Sequence, residues 1–411
     1  MYAICYLSAM VFTVVLLSLF GQKGRGVALF FASLVFGLIG FCMIPKPDVY
    51  VDTIRFFGTL DVTRAMNLWS PQQGWSYVMN DSGYNAVPVM GVIMYLLSLQ
   101  SQNGWLTFMA ASIDVGAGFI ILHAVSKKYG GTALAVSALA FLALFNFNAA
   151  VSGVRNYMAG SLALVICYLT SKKSLWYSAL FVPLILIHPF VAIIAFIYIF
   201  SLTVIRHKVV FTILCVGLFL QRFLQEFVFS ICEKLSFIPF FASLSFKSEQ
   251  YFGEGGYIGL ASIASYVRSL LLFALYAFII IVFLWKKKLT RYDGICIMLL
   301  CLDAGAIQDQ SLFSRITGIM LFAELPMLYG LIVSGLRQLK YGRITLEFLV
   351  VMMAAVIVLM DNIRAGISFQ CIQINTYSIV LLAVLFMSIV LAYVVSGSLS
   401  SRYFGPRDLE G

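Results

Sequence analysis

The chain has 411 residues, is 62% hydrophobic and only 11% charged, and carries a net charge of +10. A mean hydropathy of +0.99 excludes an ordinary soluble globular protein, because apolar runs of about 20 residues, enough to span a bilayer, recur along its whole length. The positive charge does not point to nucleic acid: the basic residues sit in short connectors, where Lys and Arg mark the cytoplasmic side of a membrane protein.

In chain order, apolar segments are expected near 3-20, 27-44, 105-125, 131-148, 153-170, 174-187, 190-205, 209-226, 262-285, 293-310, 316-336, 345-360 and 375-397. Continuous rather than alternating apolar runs select helices, and only helices or closed barrels satisfy the backbone in lipid. The first run lacks a basic start and a small-residue cleavage site, so it reads as a retained helix. A further segment, 86-99, contains Pro88 and is short. The expected fold is an all-α polytopic membrane protein. It has about 13 transmembrane helices, a re-entrant or interfacial segment and a catalytic face on the outer side. Residues 1-400 form one transmembrane domain, and 401-411 form a cytoplasmic tail.

The basic connectors set the topology. Lys23 and Arg25, Lys127 and Lys128, Lys172 and Lys173, Arg206 and Lys208, Lys286 to Arg291, and Arg337 to Arg343 are placed inside. Helices 131-148 and 153-170 then form a hairpin whose outer tip is NFNAAVSGVR, putting Arg155 at the outer end of its helix. The stretch 174-205 is too long for one span and contains His188-Pro189 at its centre. Proline breaks a helix there, so two short helices meet outside at His188. Segment 86-99 cannot span without reversing the sense of 105-125. External stretches fall at about 45-85, 227-261, 303-315 and 361-374.

The outer face gathers the carboxylates Asp48, Asp52, Asp61, Asp81, Glu226, Glu233, Glu249, Glu254, Asp303, Asp309 and Asp361, with the arginines Arg55, Arg64, Arg155, Arg222, Arg268, Arg315 and Arg364. Separate arginines suit an anionic group such as a pyrophosphate, because the guanidinium offers planar bidentate recognition.

Each candidate has a plainer reading. Asp48, Asp52 and Arg55 would share one face of a helix lying on the membrane, with Phe56, Phe57 and Leu60 toward lipid. The plain reading is a solvated interfacial helix laced by ion pairs; the functional one makes Asp52 or Asp48 a substrate-orienting or acid/base group. Arg155 is either a ligand for substrate or a snorkelling residue at a helix end. His188 is either a general base for a sugar hydroxyl or a satisfied interfacial histidine. Arg222 and Glu226 pair at i, i+4. Asp114 faces a polar cavity or bonds across a close helix contact. Asp303, Gln308, Asp309, Gln310, Ser314 and Arg315 form a second polar cluster. His123 and His207 are structural. The eight cysteines lack metal-ligand spacing and lie mostly within apolar runs, so neither a zinc site nor a disulfide framework is expected, although Cys232 and Cys371 could both face outside. No phosphate-binding loop, dinucleotide fingerprint, zinc motif or serine elbow occurs. A lipid-linked donor therefore fits better than a nucleotide sugar used inside the cell.

Several segments together resemble the EpsG branch of the Wzy-type polysaccharide polymerases: PDVYVD followed by GYNAVPVMGVIMYLLS, then VRNYMAGSLALVICYL with its Lys-Lys connector, IHPFVAII, and SRITGIMLFAELPMLY. The resemblance covers about residues 1-340. Asn156 stands where the family often has Gln, and Asp81-Ser82 where it often has Glu. The resemblance implies a metal-independent, cofactor-free glycosyltransferase of the bacterial cytoplasmic membrane. Such an enzyme joins undecaprenyl-pyrophosphate-linked oligosaccharides into an exopolysaccharide, capsule or O-antigen. A flippase and a chain-length regulator are its implied partners, and no nucleic acid is involved. Arg155, Arg315, Arg268, Asn156 and Tyr84 would contact pyrophosphate or glycan, with His188, Asp52 or Asp309 acting on the acceptor. The alternatives are a flippase for such lipids, or a membrane ligase or acyltransferase modifying a surface glycan.

Overall fold

The computed structural model describes residues 2-20, 24-45, 52-128, 131-172, 175-221, 230-231, 233-238, 263-286, 289-365 and 369-371. The expectations for Asp48, Arg222, Glu226, Cys232 and the segment 375-397 lie outside these residues. The described residues are 87% helical, and the fold is all-α. Its helices are α1 (Tyr2–Leu19), α2 (Arg25–Phe41), α3 (Asp52–Trp69), α4 (Pro88–Ser98), α5 (Gly104–Val125), α6 (Gly131–Leu144), α7 (Phe147–Ser152) and α8 (Val154–Lys172). They continue with α9 (Phe181–Ile185), α10 (Phe190–Phe200), α11 (Lys208–Phe219), α12 (Ile263–Lys286), α13 (Arg291–Gly305), α14 (Gln310–Lys340) and α15 (Leu346–Ala365). Shorter helical turns join them. Among the described residues five helices, α1, α5, α12, α14 and α15, contain stretches long and apolar enough to cross a membrane.

Local chemistry explains the boundaries. Pro88 opens α4, where its missing N–H costs nothing. A reciprocal capping box starts α13: Thr290 Oγ1 accepts from the Asp293 amide at 3.3 Å, and the Asp293 carboxylate accepts from the Thr290 amide at 2.7 Å. Asp309 Oδ1 accepts from the amides of Ser311 (3.0 Å) and Leu312 (3.1 Å), closing the first turn of α14.

The chain divides into two compact units. The first comprises residues 1-54, 104-154 and 325-411. Its centre is aromatic: the Tyr6 ring meets Phe36 at 5.4 Å and Phe147 at 5.3 Å, and the Tyr6 hydroxyl donates to the Leu142 carbonyl at 2.7 Å. Helices α2 and α5 approach so closely at Gly40 that a Cβ there would lie 2.6 Å from the Thr107 carbonyl oxygen. Two three-residue strands, β1 (Met43–Pro45) and β2 (Phe369–Cys371), pair antiparallel with Met43 opposite Cys371. They add a small sheet to a fold expected to be wholly helical.

The expected continuous helix 131-148 is interrupted. α6 stops at Leu144, and α7 starts behind Asn146, whose side chain accepts from the Ala149 amide at 3.2 Å. Buried Asn362 of α15 donates to the freed carbonyls of Ala143 (3.2 Å) and Phe145 (2.8 Å), while Asn148 donates to the Asn362 carbonyl at 2.9 Å. Two amide side chains thus meet the backbone requirement that a break inside an apolar segment creates.

The second unit comprises residues 55-103 and 155-324. Here α8 crosses α14 at glycine: a Cβ on Gly318 would collide with the Tyr157 hydroxyl, and one on Gly160 would lie 2.7 Å from Ile319. The Arg291 guanidinium stacks on Tyr198 at 4.0 Å and donates to the Tyr198 carbonyl at 2.9 Å, fastening α13 to α10.

Candidate functional site

Phe56 and Leu60 of α3 are buried, 2% and 1% exposed, instead of facing lipid. The reason is what covers Phe56. The Arg155 guanidinium sits 5.2 Å from the Phe56 ring centre on one side of the contact, and 5.5 Å from the ring of Tyr84. Arg55 lies 5.4 Å from the same Phe56 ring. Two guanidinium groups therefore converge on a single phenyl ring, and one of them is also held by a tyrosine. Ring contacts of this type stabilise a cation by about 0.5–2 kcal/mol each while leaving its N–H edges usable for hydrogen bonds.

Each member is placed by local structure. Tyr84 is 4% exposed and opens a short helical turn, Tyr84–Ala86. The preceding Gly83 has φ +73, the left-handed conformation that favours glycine. Arg155 and Asn156 occupy the first turn of α8, whose leading amides point out of the helix end and attract anions. Asn156 is 8% exposed, and its amide nitrogen has no hydrogen-bond partner among the described residues. A buried donor left open beside an arginine is unusual, since most such atoms are satisfied.

His188 lies in the break between α9 and α10. Its Nδ1 accepts from the Phe190 amide at 3.2 Å. In the neutral ring the proton is then on Nε2, so the side chain donates from that atom rather than accepting there. The same break is tied to the start of α4 by a bond from the Met90 amide to the Leu186 carbonyl at 3.5 Å. Residues 84-90 thus border both the Arg155 contact and the His188 turn.

A further cluster surrounds the start of α14. Tyr266 of α12 donates to the Ile307 carbonyl at 3.0 Å, tying α12 to the turn before α14, and Arg268 donates to Ser265 of its own helix at 3.3 Å. One Asp309 oxygen is used in capping, while Oδ2 has no partner among the described residues. Arg315 follows one turn later. Because Tyr157 of α8 meets Gly318 of α14, the opening turns of these two helices, carrying Arg155 and Arg315, lie at the same end of their crossing. Asp52 is the first residue of α3 and belongs to the other unit, where its neighbour Thr53 donates to the Val151 carbonyl at 2.9 Å.

Two residues outside the expected set stand out. Arg55 was visible only as one of several outer arginines; its shared ring with Arg155 singles it out. Glu324, fully buried in α14, is a carboxylate inside a long apolar run, and that isolation was itself a readable signal. Asp114 is also fully buried. Among the described residues no group of three or more His, Cys, Asp or Glu side chains is arranged to hold a metal ion. Neither a family model, nor a curated protein, nor a solved structure matches this chain.

Proposed function

We propose that this chain is a glycosyltransferase that polymerises undecaprenyl-pyrophosphate-linked oligosaccharides on the outer face of a bacterial cytoplasmic membrane, as its resemblance to the EpsG/Wzy-type polymerases implies. The observation that carries this reading is the pair Arg55 and Arg155 on one Phe56 ring. Two oriented cations at the mouth of a helix suit a diphosphate, and preorganised donors are most effective where charge develops in the transition state.

In this mechanism the bond between the anomeric carbon and the phosphate oxygen of the growing chain breaks, and undecaprenyl pyrophosphate leaves. The acceptor hydroxyl forms the new bond at that carbon and gives up its proton. Arg155 and Arg55 take the charge of the leaving diphosphate, with the open Asn156 amide donating beside them. Arg315 and Arg268, at the start of α14 and α12, add a second anion-binding edge. Tyr84, buried behind the guanidinium, holds Arg155 in place. His188, donating from Nε2, orients the acceptor or leaving oxygen. Proton acceptance then falls to a carboxylate of the same unit, Asp309, through Oδ2.

The full topology belongs to the same reading: about 13 spans, with 86-99 re-entrant or interfacial. α4 has 11 residues, so it is about 16 Å long, well short of a bilayer core of about 30 Å. The test is elongation of synthetic undecaprenyl-pyrophosphate repeat units by purified protein. Wild type is expected to give a product ladder, weakened by Arg155→Ala and by Arg55→Ala. Full activity in both variants overturns the site, and no ladder from folded protein with the matching repeat unit overturns the polymerase.

A flippase reading draws on Glu324, because transporters place ionisable groups deep in the membrane. Vesicles loaded with the lipid-linked unit separate the two: a flippase moves it across the bilayer without lengthening it.

A further inference from the structure

Glu324 lies in the middle of α14, fourteen positions and roughly 21 Å from the Gln310 end at the rise of a helix. It is 0% exposed, and neither carboxylate oxygen has a hydrogen-bond partner among the described residues. The nearest donors are turned to backbone: the Tyr292 hydroxyl and the Cys296 thiol both bond to the Ala323 carbonyl, at 2.9 and 3.4 Å, with the thiol lying beside the Glu324 carboxylate. The hydroxyl of Tyr276, from α12, is likewise fully buried without a partner, and it lies within the electrostatic reach of both Glu324 and Asp303. Asp303 is fully buried too. Thr317 donates to its Oδ2 at 2.8 Å, and its Oδ1 is unsatisfied. The remaining titratable neighbours are Asp293 of α13 beside Glu324 and Tyr157 of α8 beside Tyr276.

Thr317 and Glu324 are seven residues apart and so share one face of α14. The unsatisfied oxygens of Tyr276, Asp303 and Glu324 thus come from three helices, α12, α13 and α14. A lone ionised carboxylate in an apolar interior is costly. The smallest ligand that satisfies it is a proton, since a hard metal ion demands several oxygen donors at once.

We propose that Glu324, with the Tyr276 hydroxyl and the Asp303–Thr317 pair, forms an intramembrane proton-binding site, in which the Glu324 carboxyl takes up and releases a proton. The Tyr276 hydroxyl lies within electrostatic reach of the carboxylate and biases that uptake without being hydrogen-bonded to it. Nothing else is bound or released. The site does not depend on the glycosyl-transfer reading and would serve a transporter equally.

The test is infrared difference spectroscopy of the full-length protein in lipid nanodiscs, taken between mildly acidic and mildly alkaline buffer. A carboxylic-acid carbonyl band is expected to disappear on raising the pH, to shift in heavy water, and to be absent from Glu324→Gln. Tyr276→Phe, which keeps the shape of the core, is expected to retain the band and move its midpoint. A wild-type spectrum with no titrating acid band overturns the proposal. So does a band that persists unchanged in Glu324→Gln, or, should that variant not fold, a midpoint that Tyr276→Phe leaves unmoved.

Discussion

Arg155 lies against the faces of two rings, Phe56 at 5.2 Å and Tyr84 at 5.5 Å, which fix the plane of its guanidinium. Lysine cannot reproduce this, since an ammonium neither lies flat on a ring nor grips a phosphate in two places. Arg155→Lys is expected to lower the initial rate of ladder formation about 100-fold or more, with thermal stability nearly unchanged. Asp309 divides its duties between its two oxygens, and paired substitutions separate them. Asp309→Asn keeps a cap for α14 and so keeps stability, whereas Asp309→Ala costs about 0.5–2 kcal/mol. Both should lose elongation if Oδ2 accepts the acceptor's proton; activity kept in Asp309→Asn assigns that step elsewhere. The sequence marked Arg155 and His188 through their place among apolar residues, and Asp309 through the polar cluster around it. It could not show that His188 Nδ1 is taken by a backbone amide, because that depends on how the chain turns at Pro189.

At the scale of elements, the proline-marked break at His188 was legible, and the break between α6 and α7 was not. Nothing between Leu144 and Phe147 forbids helix. The interruption is sustained by Asn362, more than two hundred positions later, so no local rule could find it. Asn362→Ala removes the donors for two buried carbonyls and should destabilise the protein by about 1–3 kcal/mol, read as a lowered melting temperature in detergent. Replacing Asn362 by Asp, which keeps the shape but lacks the amide donors, should be at least as damaging. α3 was misjudged for a related reason. Its amphipathic pattern separates two faces but does not say what lies against each, and Phe56 faces an arginine rather than lipid.

For the whole molecule, composition and unbroken apolar runs made the helical class plain, because lipid leaves so few backbone solutions. The orientation follows from connector charge alone and is open to direct measurement. In a chain whose native cysteines are replaced, Asn80→Cys should react with a membrane-impermeant maleimide in intact cells. Lys127→Cys should react only after the membrane is opened. The reverse pattern inverts the topology and moves the Arg155 site to the cytoplasm. One helix sets a further condition on any reconstitution. With 31 residues α14 is about 46 Å long, against a hydrocarbon core of about 30 Å. Tilt, bending at Pro326 or projection past the headgroups must absorb the excess. Acyl-chain length then becomes an experimental variable in its own right: bilayers of different thickness impose different tilts on the helix that carries both Arg315 and Glu324.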